Sequence, residues 1–279
     1  MNTQAASTKP STDRSQPSTD RSKSSTDRSK PSTDRSQAPT DRSHIVDVAD
    51  LPAPIRWGRA LYALGRVLRN PEETDQVLVF SNLANAGRRD ERLNRFFEDP
   101  VGAKLFEEQR ALDSTTIDLD ALAALPEGTL GHAYARFMKA HGLTPNVFDG
   151  TPEDVRDERA AYIIQRMRQT HDLWHVVTNC ETDPAGEIAL QAFTFAQVGA
   201  PSSGILAVLG TLRTLRFTRN VGPDALELYR LGAAAKPLVI FPWEDHWATP
   251  LTDVRRLLGL PEQPRKVGGY LTDAYKLAA

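Results

Sequence analysis

One cysteine, Cys180, is all that 279 residues contain. That excludes an intrachain disulfide framework and any cysteine-rich zinc module, and it fits a reducing compartment. Long hydrophobic runs are missing as well. The longest nearly apolar stretch lies within 203–212, short of the roughly 18–20 residues a membrane span needs. Charge of one sign is scarce: the formal net charge is −2, which gives no reason to expect nucleic acid as a partner. Strand-like alternation is absent apart from Leu238–Phe241. What is present, 40% hydrophobic residues, suits a soluble core in one large domain or two small ones.

The first 44 residues differ in kind. TDRS recurs at 12–15, 19–22, 26–29, 33–36 and 40–43. A seven-residue period invites a coiled coil, but the unit is polar, offers no apolar seam and is interrupted by prolines. Such a segment cannot offset its ordering entropy, so 1–44 reads as a disordered tail and passive spacer. Each repeat carries an aspartate, unlike acid-poor transit peptides, which suggests a bacterial protein. The tail holds 8 basic and 5 acidic residues, and 45–279 holds 26 and 31.

From residue 51 helical periodicity dominates. Pro54 opens a helix in which Trp57, Leu61, Leu64 and Leu68 share a face, broken at Asn70-Pro71. A second helix runs through Val77, Phe80 and Leu83 to Gly87, and two shorter ones flank Asp99-Pro100. Residues 125–143 read as a turn and a helix ending at Gly142. The longest helix has Thr151 as N-cap and Pro152 at its first position, and continues to about Asn179. Asp183-Pro184 starts another that ends near Gly199. Helices follow at 203–219, 223–235 and 250–259, with a packed loop over 236–250. The expectation is an all-α fold, a single domain of roughly ten helices over 45–279.

The chemistry centres on HDLWH at 171–175. His171 and His175 are four apart, so on a helix they share a face and can hold one cation together. At about 100° per residue, Arg168, His171, Asp172, His175 and Asn179 fall on one stripe. So many polar groups are costly to bury unless something compensates them. A metal would do so, and satisfied histidines are the other reading. Glu187, on the next helix, is a further ligand candidate, although acidic residues are favoured in a first helical turn anyway.

HDLWH followed eleven residues later by Glu187 resembles the HDxxH-x11-E signature of the ubiquinone (coenzyme Q) biosynthesis protein 4 family. LPEGTLGHAYARFMKAHGL, YIIQRMRQTHDLWHVVTN, EIALQAFTFAQVGAP and PWEDHWATPL are similar to that family's other blocks, so the resemblance covers about 51–260. It implies that His171, Asp172, His175 and Glu187 ligate Zn2+ or another divalent metal. It also implies decarboxylation at ring C1 of a polyprenylated hydroxybenzoate precursor, with oxidation to a ring hydroxyl, and a role in organising other quinone biosynthesis proteins. A dication so held can polarise a phenolic or carboxylate oxygen. If all four groups bind tightly the site is closed and structural, and the alternative is a non-catalytic lipid-binding scaffold.

Within this reading Arg168 anchors the substrate carboxylate. Asn179, where the family usually has glycine, points into the site. Leu190, Phe193, Ile205, Leu206, Leu209 and Leu212 line a groove for the isoprenoid chain. Arginines at 56, 59, 66 and 69, and at 213, 216 and 219, lie on apolar helices of the kind that rest on anionic membranes. The expected setting is the cytoplasmic face of a bacterial inner membrane, with a homodimer as one arrangement. An HD-type phosphohydrolase would use His171-Asp172 with a distant histidine such as His132 or His141. A zinc peptidase is disfavoured, because HDLWH has Asp where HExxH needs its glutamate base.

Overall fold

Local signals in the chain set most of the helix ends. In the computed structural model, which describes residues 42, 44–70, 73–148 and 152–271, Asp99 caps α4 (Pro100–Glu107) and Thr129 caps α6 (Leu130–His141) through their side-chain oxygens. Asp183 does the same for α8 (Pro184–Val198). Gly142, Gly199 and Gly259 adopt left-handed conformations that end α6, α8 and α11 (Leu251–Leu258), as glycine permits. The remaining helices are α1 (Ala53–Arg69), α2 (Thr74–Asn85), α3 (Arg89–Glu98), α5 (Leu119–Ala123), α7 (Glu158–Thr178), α9 (Pro201–Thr214) and α10 (Val221–Ala234). Among the described residues there is no strand, only isolated bridges at Thr129–Pro250 and Cys180–Val267. The fold is all-α. The repeats before Arg42 lie outside the described residues.

α7 is the axis. It is buried nearly all round, including Gln165, Arg166, Gln169 and Thr170, so its polar groups need partners. Arg166 donates to the carbonyls of Val239 (3.0 Å) and Phe241 (2.8 Å) and pairs with Glu244 at 2.8 Å. Leu112 N–H donates to Gln169 Oε1. Arg255 donates to the carbonyls of Val176 and Val177 near the helix end. α3, α6 and α11 pack on α7, α8 packs on α10 and α9, and α1 packs on α2. Leu130, Leu173, Leu190, Phe193 and Trp243 are fully enclosed in the main core.

Four expectations need correction. α7 begins at Glu158, capped by Asp157, rather than after Thr151, which lies outside the described residues. Residues 152–156 are held instead by distant partners: Val48 N–H donates to Asp154 O, Asn82 to the Asp154 carboxylate, and Arg156 N–H to Asp47. Leu61 is 60% exposed; the buried side of α1 is Ala60, Ala63, Leu64 and Val67. Leu238–Ile240 forms a 3-10 turn rather than a strand. α9 ends at Thr214, short of the expected Arg219.

Candidate metal centre

α7 and α8 bring His171, His175 and Glu187 together, with one ligand atom from each lying within 4.8 Å of the others. The histidines meet because they stand one helical turn apart. Glu187 joins them because Asp183-Pro184 starts α8 immediately after the α7–α8 turn, placing Glu187 in its first turn. His175 Nε2 is 3.3 Å from His171 Nε2 and 3.2 Å from Glu187 Oε1, and His171 Nε2 is 3.7 Å from Glu187 Oε2.

The protons do not settle this geometry unaided. His175 Nδ1 lies 3.1 Å from the carbonyl oxygen of Cys180. A carbonyl only accepts, so Nδ1 carries the hydrogen and Nε2 of the neutral ring presents a lone pair. That lone pair faces a carboxylate and a second imidazole. Such acceptors converge around a cation, either a proton or a metal. Two ligands held about 2.0–2.1 Å from a tetrahedral zinc stand about 3.4 Å apart, and the three observed separations bracket that value. The donor set therefore fits a divalent metal, with the Cys180 carbonyl orienting His175 as outer partners of ligating histidines do. The ring of Phe137 stacks on His175 with centroids 5.6 Å apart.

With a proton rather than a metal between these groups, His175 is the charged imidazolium: burial alone would raise the Glu187 carboxyl, but that charge and hydrogen bonds from both histidines hold it well below the usual carboxylate range. Burial would lower His171, and Glu187 outweighs it and raises it. Glu187 is 39% exposed, and that exposure opens onto a cleft of about 1510 Å³ bordered by α1, α2, α7, α8 and α9.

The other expected site residues fall into three groups. Asp172 and Arg168 line the cleft beside the cluster. The Asp172 carboxyl, pushed up by burial, is not among the three gathered groups; at about 100° around the helix from His171 it sits further off axis than His175. Arg168 donates to Asn82 Oδ1 at 3.4 Å, and Asn82 in turn donates to Asp154 at 2.8 Å. Among the described residues Arg168 forms no ion pair with Asp172 or Glu187, and burial lowers its affinity for its proton. Leu206 and Leu209 line the cleft too.

Leu190 and Phe193 do not. Both are 0% exposed in the core, because they lie about 60° and 120° around α8 from Glu187, while Gln191 and Thr194 take the cleft side. Ile205 packs in the cluster between α1 and α2, and Leu212 is 58% exposed. Asn179 turns away: it is the C-cap of α7 at φ 59°, and its Nδ2 donates to Pro264 O at 3.0 Å. That backbone conformation accounts for glycine as the alternative residue there, since asparagine is among the few others that tolerate it.

Two residues that the site stripe did not include also reach the cleft. His141 and Thr182 line it and bond to each other, Nδ1 to Oγ1, at 2.9 Å. His132 is occupied elsewhere, with its Nδ1 3.1 Å from the carbonyls of Ala123 and Leu125, so it does not complete a phosphohydrolase set.

Comparison with known proteins matches the chain to a family. Residues 56–264 match the family described as coenzyme Q (ubiquinone) biosynthesis protein Coq4. The chain is 31% identical over 209 residues to the mitochondrial ubiquinone biosynthesis protein COQ4 homologue of Rattus norvegicus, covering 74% of this chain and 78% of that protein. It is 28% identical over 220 residues to mitochondrial COQ4 of Coprinopsis cinerea, covering 76% and 74%. A crystal structure from Nostoc punctiforme, provisionally described as a ubiquinone biosynthesis protein, superposes with a TM-score of 0.61 at 29% identity, covering 72% of this chain and 97% of that one. With three quarters of its length matched, this chain belongs to the Coq4 family of coenzyme Q (ubiquinone) biosynthesis proteins.

Proposed function

We propose that the cleft binds the aromatic head of a polyprenylated hydroxybenzoate and that the chain catalyses loss of its ring carboxylate. The observation that carries this reading is the convergence of His171, His175 and Glu187 on the wall of a large cleft that also contains Arg168. His171, His175 and Glu187 would hold Zn2+ or another divalent ion, with Asp172 alongside. When bound, the ion supplies Lewis-acid polarisation of a phenolic or carboxylate oxygen.

The chain's own residues do the rest. Arg168, whose partner is the Asn82 amide rather than a carboxylate, offers its guanidinium fork to the substrate carboxylate. Apolar walls such as Ile164, Leu206 and Leu209 exclude water, which favours loss of charge as the carboxylate leaves as CO2. The ring carbon takes a proton in its place; in the oxidative form dioxygen, as co-substrate, takes up two electrons and two protons and leaves as hydrogen peroxide, and water supplies the hydroxyl that replaces the carboxylate. The cluster gathers three protein groups rather than four, and this favours a catalytic site over a closed one.

The isoprenoid chain implies work at a membrane surface. No described helix is long and apolar enough to cross a membrane, so association would be peripheral. The test is turnover of a polyprenyl hydroxybenzoate by purified protein, with Arg168→Lys beside the wild type. Lys keeps the charge but lacks the fork, and unchanged turnover and substrate affinity in that variant would remove Arg168 from the account.

A further inference from the structure

Beyond α11 the chain returns to the turn between the two metal helices. Residues 264–271 belong to no helix. Val267 and Leu271, 1% and 5% exposed, are the two that are buried. Val267 joins the main core, and Leu271 joins a small separate cluster with Ala185 and Ile188 of α8. With so little apolar anchoring, this segment opens locally before the core does.

Backbone bonds supply the rest, and they reach both sides of the turn that carries the metal groups. Val267 N–H donates to Asn179 O at 3.0 Å, and Glu181 N–H donates to Val267 O at 2.8 Å. These two bonds fix the peptides on either side of Cys180, whose carbonyl orients His175. The far end of the segment holds Asp183. Its Oδ1 accepts from Gly186 N–H at 3.1 Å and from Gly269 N–H at 2.8 Å, and its Oδ2 from Leu271 N–H at 2.9 Å. The bond to Gly186 caps α8, whose next residue is Glu187. One carboxylate therefore serves both the helix start and the segment. Lys266 adds a 2.7 Å ion pair to Glu181, while Arg265 and Tyr270 both bond to the buried carboxylate of Asp224 on α10. Gly268 passes so close that a Cβ there would collide with the Asp183 carboxylate and the Gly186 backbone, and its φ of 88° disfavours any side chain.

We propose that residues 264–271 are a positioning strap for the metal centre. Docked, the strap holds the Cys180 carbonyl on His175 and the start of α8 beneath Glu187, so strap docking and metal binding strengthen one another. This rests on the metal assignment above. Such coupling is reciprocal: the factor that docking contributes to metal affinity is the factor by which bound metal favours docking. Outer partners of ligating groups contribute about 10–100-fold, and the strap bears on two ligands at once.

The test compares zinc affinity, by chelator competition, with hydrogen exchange at the amides of Val267, Gly269 and Leu271 in the full chain, zinc-saturated and zinc-free. Zinc should slow these amides about 10–100-fold and leave the amide of Gln109, exposed just past α4, unchanged. Gly268→Ala should weaken zinc binding by the same factor. Asp183→Asn keeps an oxygen to cap α8 but sets an amide NH2 against Leu271 N–H, and it should weaken zinc binding by part of that factor. Arg256→Ala, on the exposed side of α11, should leave the affinity unchanged. A strap that only supports the fold would lower the melting temperature of the zinc-free variants and leave their zinc affinity untouched, and that result would overturn the proposal. Zinc binding with unchanged exchange, or slowing that reaches Gln109 equally, would also overturn it while the metal assignment stands. A wild type that binds no zinc would remove both.

Discussion

Glu187→Gln tests the metal assignment quantitatively. The substitution keeps side-chain size and the start of α8 and removes one ligand charge. A metal that binds only the folded chain, present at a thousandfold its dissociation constant, stabilises it by about 4 kcal/mol. For a domain of this size each kcal/mol is worth about 2–4 °C, so the wild type should melt about 8–16 °C higher with zinc than with chelator. Loss of an outer partner alone weakens metal sites by up to about a hundredfold, so loss of a ligand should cost at least that. At the same zinc concentration the variant is then at tenfold its dissociation constant or below, which leaves about 1.4 kcal/mol and a rise of about 3–6 °C at most. Glu187 is 39% exposed to the cleft, so screening keeps the metal-free difference small. Scanning calorimetry with and without chelator reads both quantities. A variant that shows the full wild-type rise, or a wild type that shows none, would refute the assignment.

Other outcomes follow from single interactions. Burial pushes the Cys180 thiol up to about 12, so maleimide should label the native protein far more slowly than the unfolded one at pH 8. The same shift makes stability pH-dependent: the unfolded thiol ionises near pH 8.5 and the folded one does not. Stability should therefore be full below about pH 8.5 and decline as pH rises toward about 12, and Tyr162, also pushed up to about 12 by burial, adds to the decline above pH 10; a flat denaturation midpoint over that range would contradict both. Asn179→Ala removes the bond to Pro264 and places a less tolerant residue at φ 59°; a cost of about 1–2 kcal/mol is expected by urea titration, and Asn179→Gly should cost less.

The sequence made the histidine pair legible because four-residue spacing on a helix is a purely local rule, and α7 obeys it. Glu187 was ambiguous for an equally local reason, since a first-turn glutamate has a helix-dipole reading whether or not it meets a metal. Capping residues placed the ends of α4, α6 and α8. The start of α7 escaped, because Thr151-Pro152 has the pattern of a helix start while Asp47 and Asn82, more than seventy residues upstream, hold the following turn. Apolar spacing could not separate Leu190 and Phe193 in the core from Leu206 and Leu209 on the cleft, since all four obey one periodicity and only the packing partners differ. Asn179 was placed on the site stripe by a helical angle that no longer applies where the chain turns left-handed.

The most direct test of the central claim is CO2 release from a polyprenyl hydroxybenzoate by purified protein, metal-loaded and chelator-stripped, beside His171→Ala. Release that requires metal and disappears in the variant is the predicted result. Stoichiometric metal and retained lipid with no CO2 would contradict it and leave a lipid-binding scaffold with a structural metal.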